Sequence, residues 1–255
     1  MGTASQGKTL ARSSIAELLC SRVVPGSFFL LVVLSKLFSL ADVDWGGSSW
    51  QVTTQVGYRV AGIAFIGLVA LTYVIREGAP RARERSLWPR MVALAAAFMM
   101  TFVVALASPE KGPAWLAAGE VMATAGLVIT IAALLTLRTS FSILPEARHL
   151  VTRGPYRLVR HPMYCGEFLT SAGMVLPTAD WWALLVFAAF CLLQTLRAGY
   201  EERVLAASFP EYAAYARGVP RFVPKLSLVR LRRGQRQAAS LLRRGAYTTY
   251  TDPAP

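Results

Sequence analysis

The chain has 255 residues, 55% hydrophobic and only 16% charged, where a soluble domain carries about a quarter charged residues; the composition is that of a membrane protein. Its formal net charge is +13, but the cations follow membrane topology, which excludes nucleic-acid binding as their purpose. Three scattered cysteines (Cys20, Cys165, Cys191) and two histidines exclude a disulfide framework and predict no metal site.

Residues 1–22, MGTASQGKTLARSSIAELLCSR, hold no apolar core and read as a cytoplasmic lead-in, not a cleaved signal peptide. The opening MGTASQ fits a myristoylation pattern only superficially. Apolar runs long enough to cross a bilayer follow at about 23–41, 57–75, 91–107 and 114–137. Two shorter runs, 168–176 and 181–196, are separated by Pro177 and Asp180. They predict a helical hairpin over 163–199 whose first leg is interrupted by Gly166 and Gly173. No internal repeat is visible.

The 27 Lys and Arg sort by side. Three lie in 1–22, five in 76–90, five in 138–162 and eleven in 197–255, so 24 of 27 fall on alternate connections. The intervening connections 42–56, 108–113 and 177–180 hold only Lys111, against Asp42, Asp44, Glu110 and Asp180. Lys36 and Arg59 sit near the outer ends of their spans, where long stems reach water. The positive-inside rule then predicts about six spans with both termini cytoplasmic. The fold class expected is all-α: a polytopic membrane helix bundle with a C-terminal helical hairpin and a cytoplasmic cofactor site. A prokaryotic inner or plasma membrane suits the Ala- and Arg-rich composition.

Chemistry concentrates at the two ends of the hairpin. Before it runs HLVTRGPYRLVRHPMYCG (149–166); after it come RAGYEERVL and FPEYAAYARGVPRFVP (209–224). Gly154-Pro155-Tyr156 breaks helix and lets backbone approach a ligand. Pro162 suits the first turn of the next helix, whose free N–H groups favour an anion. His161 and Tyr164 flank that turn with hydrogen-bonding side chains. Glu167 lies one turn further, inside hydrocarbon, where a carboxylate needs a polar cavity or a partner such as Arg160. Arg197 and Glu201 share a helical face, and Glu202 points about 100° away. Phe209, Tyr212 and Tyr215 are spaced to share a face, as interfacial anchors or as walls of a ligand pocket. No glycine-rich nucleotide loop after a strand is present, which excludes a soluble Rossmann-type enzyme.

RHPMYCG followed by EERVL and the Tyr-rich C-terminal stretch resembles the isoprenylcysteine carboxyl methyltransferase family, which is related to the phospholipid N-methyltransferases. The resemblance covers roughly 134–224 and fades upstream. It implies an integral-membrane, S-adenosylmethionine-dependent methyltransferase acting on a lipophilic small-molecule or lipid-linked acceptor. It places Gly154, Tyr156, Arg160, His161, Pro162, Tyr164, Glu201 and Glu202 at the cofactor. Arg197 and Glu167 become the candidate catalytic residues, Arg197 orienting the acceptor and Glu167 lining its channel. A carboxylate acceptor is ionised at neutral pH and needs no base; a thiol or amine would need one. The intact motifs favour a methyltransferase over the related NADPH-using sterol reductases. A six-span transporter or scaffold predicts more polar residues within the spans than this chain has.

Three regions are expected: 1–133, a lead-in with four spans; 134–225, the methyltransferase core; and 226–255, a basic tail. In that tail Leu226, Val229, Leu241 and Leu242 alternate with arginines, as in a segment lying on an anionic leaflet.

Overall fold

The computed structural model describes residues 24–75, 81–84, 86–106, 111–178 and 180–225. The basic tail and the lead-in lie outside the described residues. Seven α-helices are formed among the described residues: α1 Val24–Phe38, α2 Ser49–Val74, α3 Leu87–Leu106, α4 Pro113–Leu137, α5 Pro162–Val175, α6 Trp181–Ser208 and α7 Tyr212–Gly218. Their ends follow local chemistry. Gln51 accepts the Ser48 N–H at 2.9 Å and so closes the start of α2. Pro113 occupies the first turn of α4, and Asp180 caps α6 by accepting the Trp182 N–H at 2.8 Å. A two-residue antiparallel pair, β1 (Ala82–Arg83) with β2 (Glu146–Ala147), ties the segment before α3 to the segment before α5.

The chain is a membrane helix bundle. Helices Ser49–Val74, Pro113–Ser140 (α4 with the 3₁₀ turn that follows it) and Trp181–Ser208 are long and apolar enough to cross a membrane. The first lies mostly within the expected 57–75 run but starts eight residues earlier, at Ser49. On α4, Val121, Val128 and Leu135 repeat every seven residues and are 57%, 57% and 54% exposed. Such a stripe of bare apolar side chains suits a helix that faces lipid. The opposite face of α4 carries Gly119, Ala123, Gly126 and Thr130, all buried.

That small-residue face receives α5. A Cβ built on Gly173 would stand 2.5 Å from the Gly119 carbonyl oxygen, and one on Gly166 would stand 2.6 Å from the Gly126 carbonyl oxygen. Backbones this close are the usual device of membrane helices, which lack a hydrophobic drive to associate and gain from dispersion contact instead. The Thr130 hydroxyl donates to the Gly126 carbonyl at 2.9 Å, so no polar group is stranded in the seam. The expected hairpin therefore exists as a connection more than as a packing unit: α5 packs chiefly on α4, while α6 packs chiefly on α3. The reason lies in residue size. The α5 face with Gly166 and Gly173 fits a matching small face, which α4 supplies. Helix α2 completes the row by packing on both α1 and α4.

Candidate functional site

Three separate stretches converge at the end of α6. Pro162 begins α5 with its missing N–H costing nothing. The amides just before it are taken by a C-terminal strap: Arg160 N–H donates to the Pro220 carbonyl at 2.8 Å, and His161 N–H to the Arg221 carbonyl at 3.1 Å. The Cys165 thiol donates to the Phe222 carbonyl at 3.1 Å. The strap is thereby registered on the first turn of α5, residue for residue.

Side chains complete the junction. The Tyr164 hydroxyl donates to Glu201 at 2.5 Å, and Glu201 is held by Arg197 one turn back at 3.3 Å. The Arg197 guanidinium lies over the Tyr164 ring at 5.0 Å, and its Nη2 donates to the Ile143 carbonyl at 2.9 Å. Arg197 is 2% exposed, so its charge depends on these partners. Glu202 faces the other way. It accepts from His161 Nε2 at 3.0 Å, from Arg221 through two bonds at 3.0 and 2.7 Å, and pairs with Arg160 at 3.2 Å. A carboxylate only accepts, so His161 Nε2 carries a proton. The His161 ring stacks on Tyr164, 5.3 Å apart and 3° from parallel.

Two cavities meet here. A polar cleft is lined by Tyr156, Arg160, His161, Tyr164, Glu201, Tyr212 and Tyr215 among others. Burial holds the Tyr156 phenol well above its ordinary range and pushes Tyr215 up to about 12, so both remain hydroxyl donors; Tyr215 donates to the Tyr156 carbonyl at 2.7 Å. The Tyr212 hydroxyl is buried without a hydrogen-bond partner among the described residues. Behind the cleft lies an apolar cavity of about 260 Å³. Phe28, Phe29, Phe65 and Phe190 line it, with Glu167 and Arg197 as its charged residues. Phe141 and Met163 line both spaces and form the partition.

Of the residues anticipated from sequence, Tyr156, Arg160, His161, Tyr164 and Glu201 line the cleft, and Glu167 and Arg197 the apolar cavity. Glu167 takes its hydrogen bond from Gln194; Arg160 is engaged with Glu202 instead. Gly154 adopts φ +59°, and a Cβ there would press on Thr136 at 3.1 Å, so its role is to shape the turn. Pro162 shapes the helix start, and Glu202 stands behind His161. Tyr212 and Phe209 are buried in one cluster with Tyr215 against it, as their spacing predicts, although α6 ends before Phe209. Sequence reading missed Glu146, Arg148 and His149, which line the cleft; the Glu146–Arg148 pair, 3.5 Å apart, spans too few residues to signal a site. Among the described residues no three His, Cys, Asp or Glu side chains form a metal-sized group.

Buried charges thus stand between a polar cleft and an apolar cavity in a membrane helix bundle. Residues 114–212 match the model of the phospholipid methyltransferase family, and the resemblance to the isoprenylcysteine methyltransferases is borne out. The match begins at 114, so α4, with which α5 interlocks, belongs to it, whereas the resemblance carried by the motifs begins near 134. The chain is 45% identical over 82 residues to the cobalt-zinc-cadmium resistance protein CzcN of Cupriavidus metallidurans, covering 32% of this chain and 38% of that protein. It is 37% identical over 86 residues to the nickel-cobalt-cadmium resistance protein NccN of Alcaligenes xylosoxydans xylosoxydans, covering 33% and 40%. It is 35% identical over 113 residues to protein-S-isoprenylcysteine O-methyltransferase A of Arabidopsis thaliana, covering 42% and 57%. The chain thus spans about two fifths of the resistance proteins and just over half of the plant enzyme.

Proposed function

We propose that this protein is an integral-membrane methyltransferase that takes its methyl group from S-adenosylmethionine in the polar cleft and delivers it to a lipophilic acceptor in the apolar cavity. The observation that carries this reading is the common wall of Phe141 and Met163 between the two spaces, with the Tyr164–Glu201–Arg197 chain beside it. The cleft fits the donor chemically. Glu201 suits a cation, the tyrosines suit a flat heterocycle, and the unpartnered Tyr212 hydroxyl offers a bond. Tyr156, Arg160, His161, Tyr164 and Glu201 would hold the donor, with Glu202 fixing His161, and Gly154 and Pro162 setting the backbone.

Bound S-adenosylmethionine supplies a methyl group on a positively charged sulfur, open to direct displacement. The protein's part is to align donor and acceptor, which supplies several kcal/mol, and to keep water out (how best to describe that desolvation is debated). The phenylalanine-lined cavity serves the second task; Arg197 orients the acceptor, and Glu167 lines its path. An isoprenylcysteine-type carboxylate acceptor would require no base. One observation favours a second reading, an amine or thiol acceptor: Glu167 lines the acceptor cavity, where a carboxylate would repel an anion and accept a proton.

The same reading has six spans, both termini in the cytoplasm of a prokaryotic cell, a core over 134–225 with spans over 1–133 before it, and a basic tail on the anionic leaflet. Titration of the detergent-purified protein with S-adenosylmethionine and with NADPH, followed by calorimetry, tests it. Saturable binding of the sulfonium and none of the nucleotide is expected. Binding of NADPH alone points to a reductase, and binding of neither to a transporter or scaffold.

A further inference from the structure

We propose that a phosphate group docks in a pocket that adjoins the polar cleft at the cytoplasmic end of α4, held by Arg138 and Arg153. The pocket has a volume of about 380 Å³ and is lined by Arg138, Thr139, Ser140, His149, Thr152 and Arg153, together with the end of α4. Among the described residues its lining includes no acidic side chain. Among the described residues the side chains of Arg138, His149 and Arg153 engage no carboxylate and no hydrogen-bond acceptor. Every other arginine lining a pocket here is committed: Arg148 to Glu146, Arg160 to Glu202, Arg197 to Glu201. Two free guanidiniums with an imidazole and three hydroxyls at hand form a donor set that matches phosphate oxygens.

The depth of the pocket points to a lipid headgroup as the source. Val121, Val128 and Leu135 form the exposed apolar stripe of α4, and Arg138 caps the end of that helix, three residues beyond Leu135. The pocket therefore sits where hydrocarbon gives way to headgroups. The C-terminal residues 226–255 carry six arginines and a single acidic residue, Asp252, so charge bars them from filling it. The pocket shares Leu137, Ser140, His149, Leu150 and Val151 with the polar cleft, so an occupant held by Arg138 and Arg153 would brace the loop that walls the cleft.

Binding of dioleoylphosphatidylglycerol to the full chain in dodecyl maltoside, read by native mass spectrometry, tests the proposal. The comparison probes are dioleoylglycerol, which has the same chains without phosphate, and inorganic phosphate. Phosphatidylglycerol should bind saturably and dioleoylglycerol should not. Arg138→Asn/Arg153→Gln should weaken binding about tenfold, since each basic residue at a membrane surface adds appreciable attraction. Asn is chosen because Arg138 has φ 52°, a region Asn tolerates. The charge-matched control Arg157→Gln/Arg203→Gln should stay within about twofold of wild type. Equal weakening by both double variants would reduce the effect to diffuse surface charge and overturn the site. Competition by inorganic phosphate at equal affinity would keep the phosphate site and overturn its lipid source. Should Arg138→Asn disturb the end of α4, Arg153→Glu alone, in an exposed loop, should weaken phosphatidylglycerol binding at least as much; wild-type binding by that variant would overturn the site.

Discussion

Tyr164 and Glu201 stand 37 residues apart in the chain, yet the tyrosine hydroxyl lies 2.5 Å from the glutamate oxygen. This bond joins RHPMY to EERVL across the end of the hairpin, and it fixes the side of Tyr164 that faces the cleft. With Arg197 gripping the same carboxylate, the phenol, the acid and the base form one unit, in which substitution of any member exposes the others.

The proposed donor site predicts that His161→Ala and Glu201→Gln each weaken S-adenosylmethionine binding by about 1–3 kcal/mol, the range for a lost hydrogen bond to a charged group. Gln is preferred to Ala at Glu201, since Ala would strip Arg197 of its partner inside the protein. Calorimetric titration measures both. Wild-type affinity in both variants would move the donor elsewhere.

Placement of the cations predicts six spans with both ends inside. Single-cysteine variants in a chain lacking Cys20, Cys165 and Cys191 should react with an impermeant maleimide from outside at Ser48 and Gly112. Cysteines at Ser86 and Ser240 should react only after permeabilisation. The inverse pattern would place the cleft on the outer face and sink the donor assignment with the topology.

The α4–α5 seam predicts a contrast between two glycines of similar appearance in the sequence. Gly173→Ala forces a methyl against the Gly119 carbonyl at 2.5 Å and should destabilise by roughly 1–3 kcal/mol. A Cβ at Gly199 meets nothing within 4 Å, so Gly199→Ala should stabilise by up to about 1 kcal/mol through helix propensity. Thermal unfolding in detergent reads both, and equal effects would refute the close seam.

That contrast marks where the sequence is legible. Apolar runs and charge sorting are signals of composition, so helices near 57–75 and 114–137 can be placed from them. RHPMY and EERVL announce the charged junction because ionisable groups beside hydrocarbon are rare without cause. Partner choice is another matter. Nothing in Gly166 or Gly173 names α4 over α6, because small residues permit close approach without specifying to what. In the sequence Arg221 is one more positive charge, although it makes two bonds to Glu202. The phenylalanines of the apolar cavity, Phe28, Phe29 and Phe65, carry no motif at all; only folding brings α1 and α2 to Arg197.

Substitution at Arg197 and Glu167 separates the acceptor chemistries. Arg197→Lys keeps the charge but loses the planar fork that serves Glu201 and the Ile143 carbonyl together. Turnover should fall by about tenfold or more, while S-adenosylmethionine affinity changes less, because the cleft side of Glu201 is also held by Tyr164. If Arg197→Lys abolishes donor binding and spares turnover per bound donor, the arginine belongs to the donor site. Glu167→Gln preserves the shape and the contact with Gln194 while removing the charge. With a carboxylate acceptor it should be neutral or faster, since an anion that repels the substrate is gone. With an amine or thiol acceptor it should cost about 10²-fold or more, the contribution of a positioned base, and the loss should shrink as pH rises and the acceptor sheds its own proton. Turnover against pH for both variants, with one acceptor of each class bearing the same hydrocarbon chain, distinguishes these outcomes. A loss with the carboxylate acceptor equal to that with the amine would show that Glu167 holds the cavity together and moves no proton.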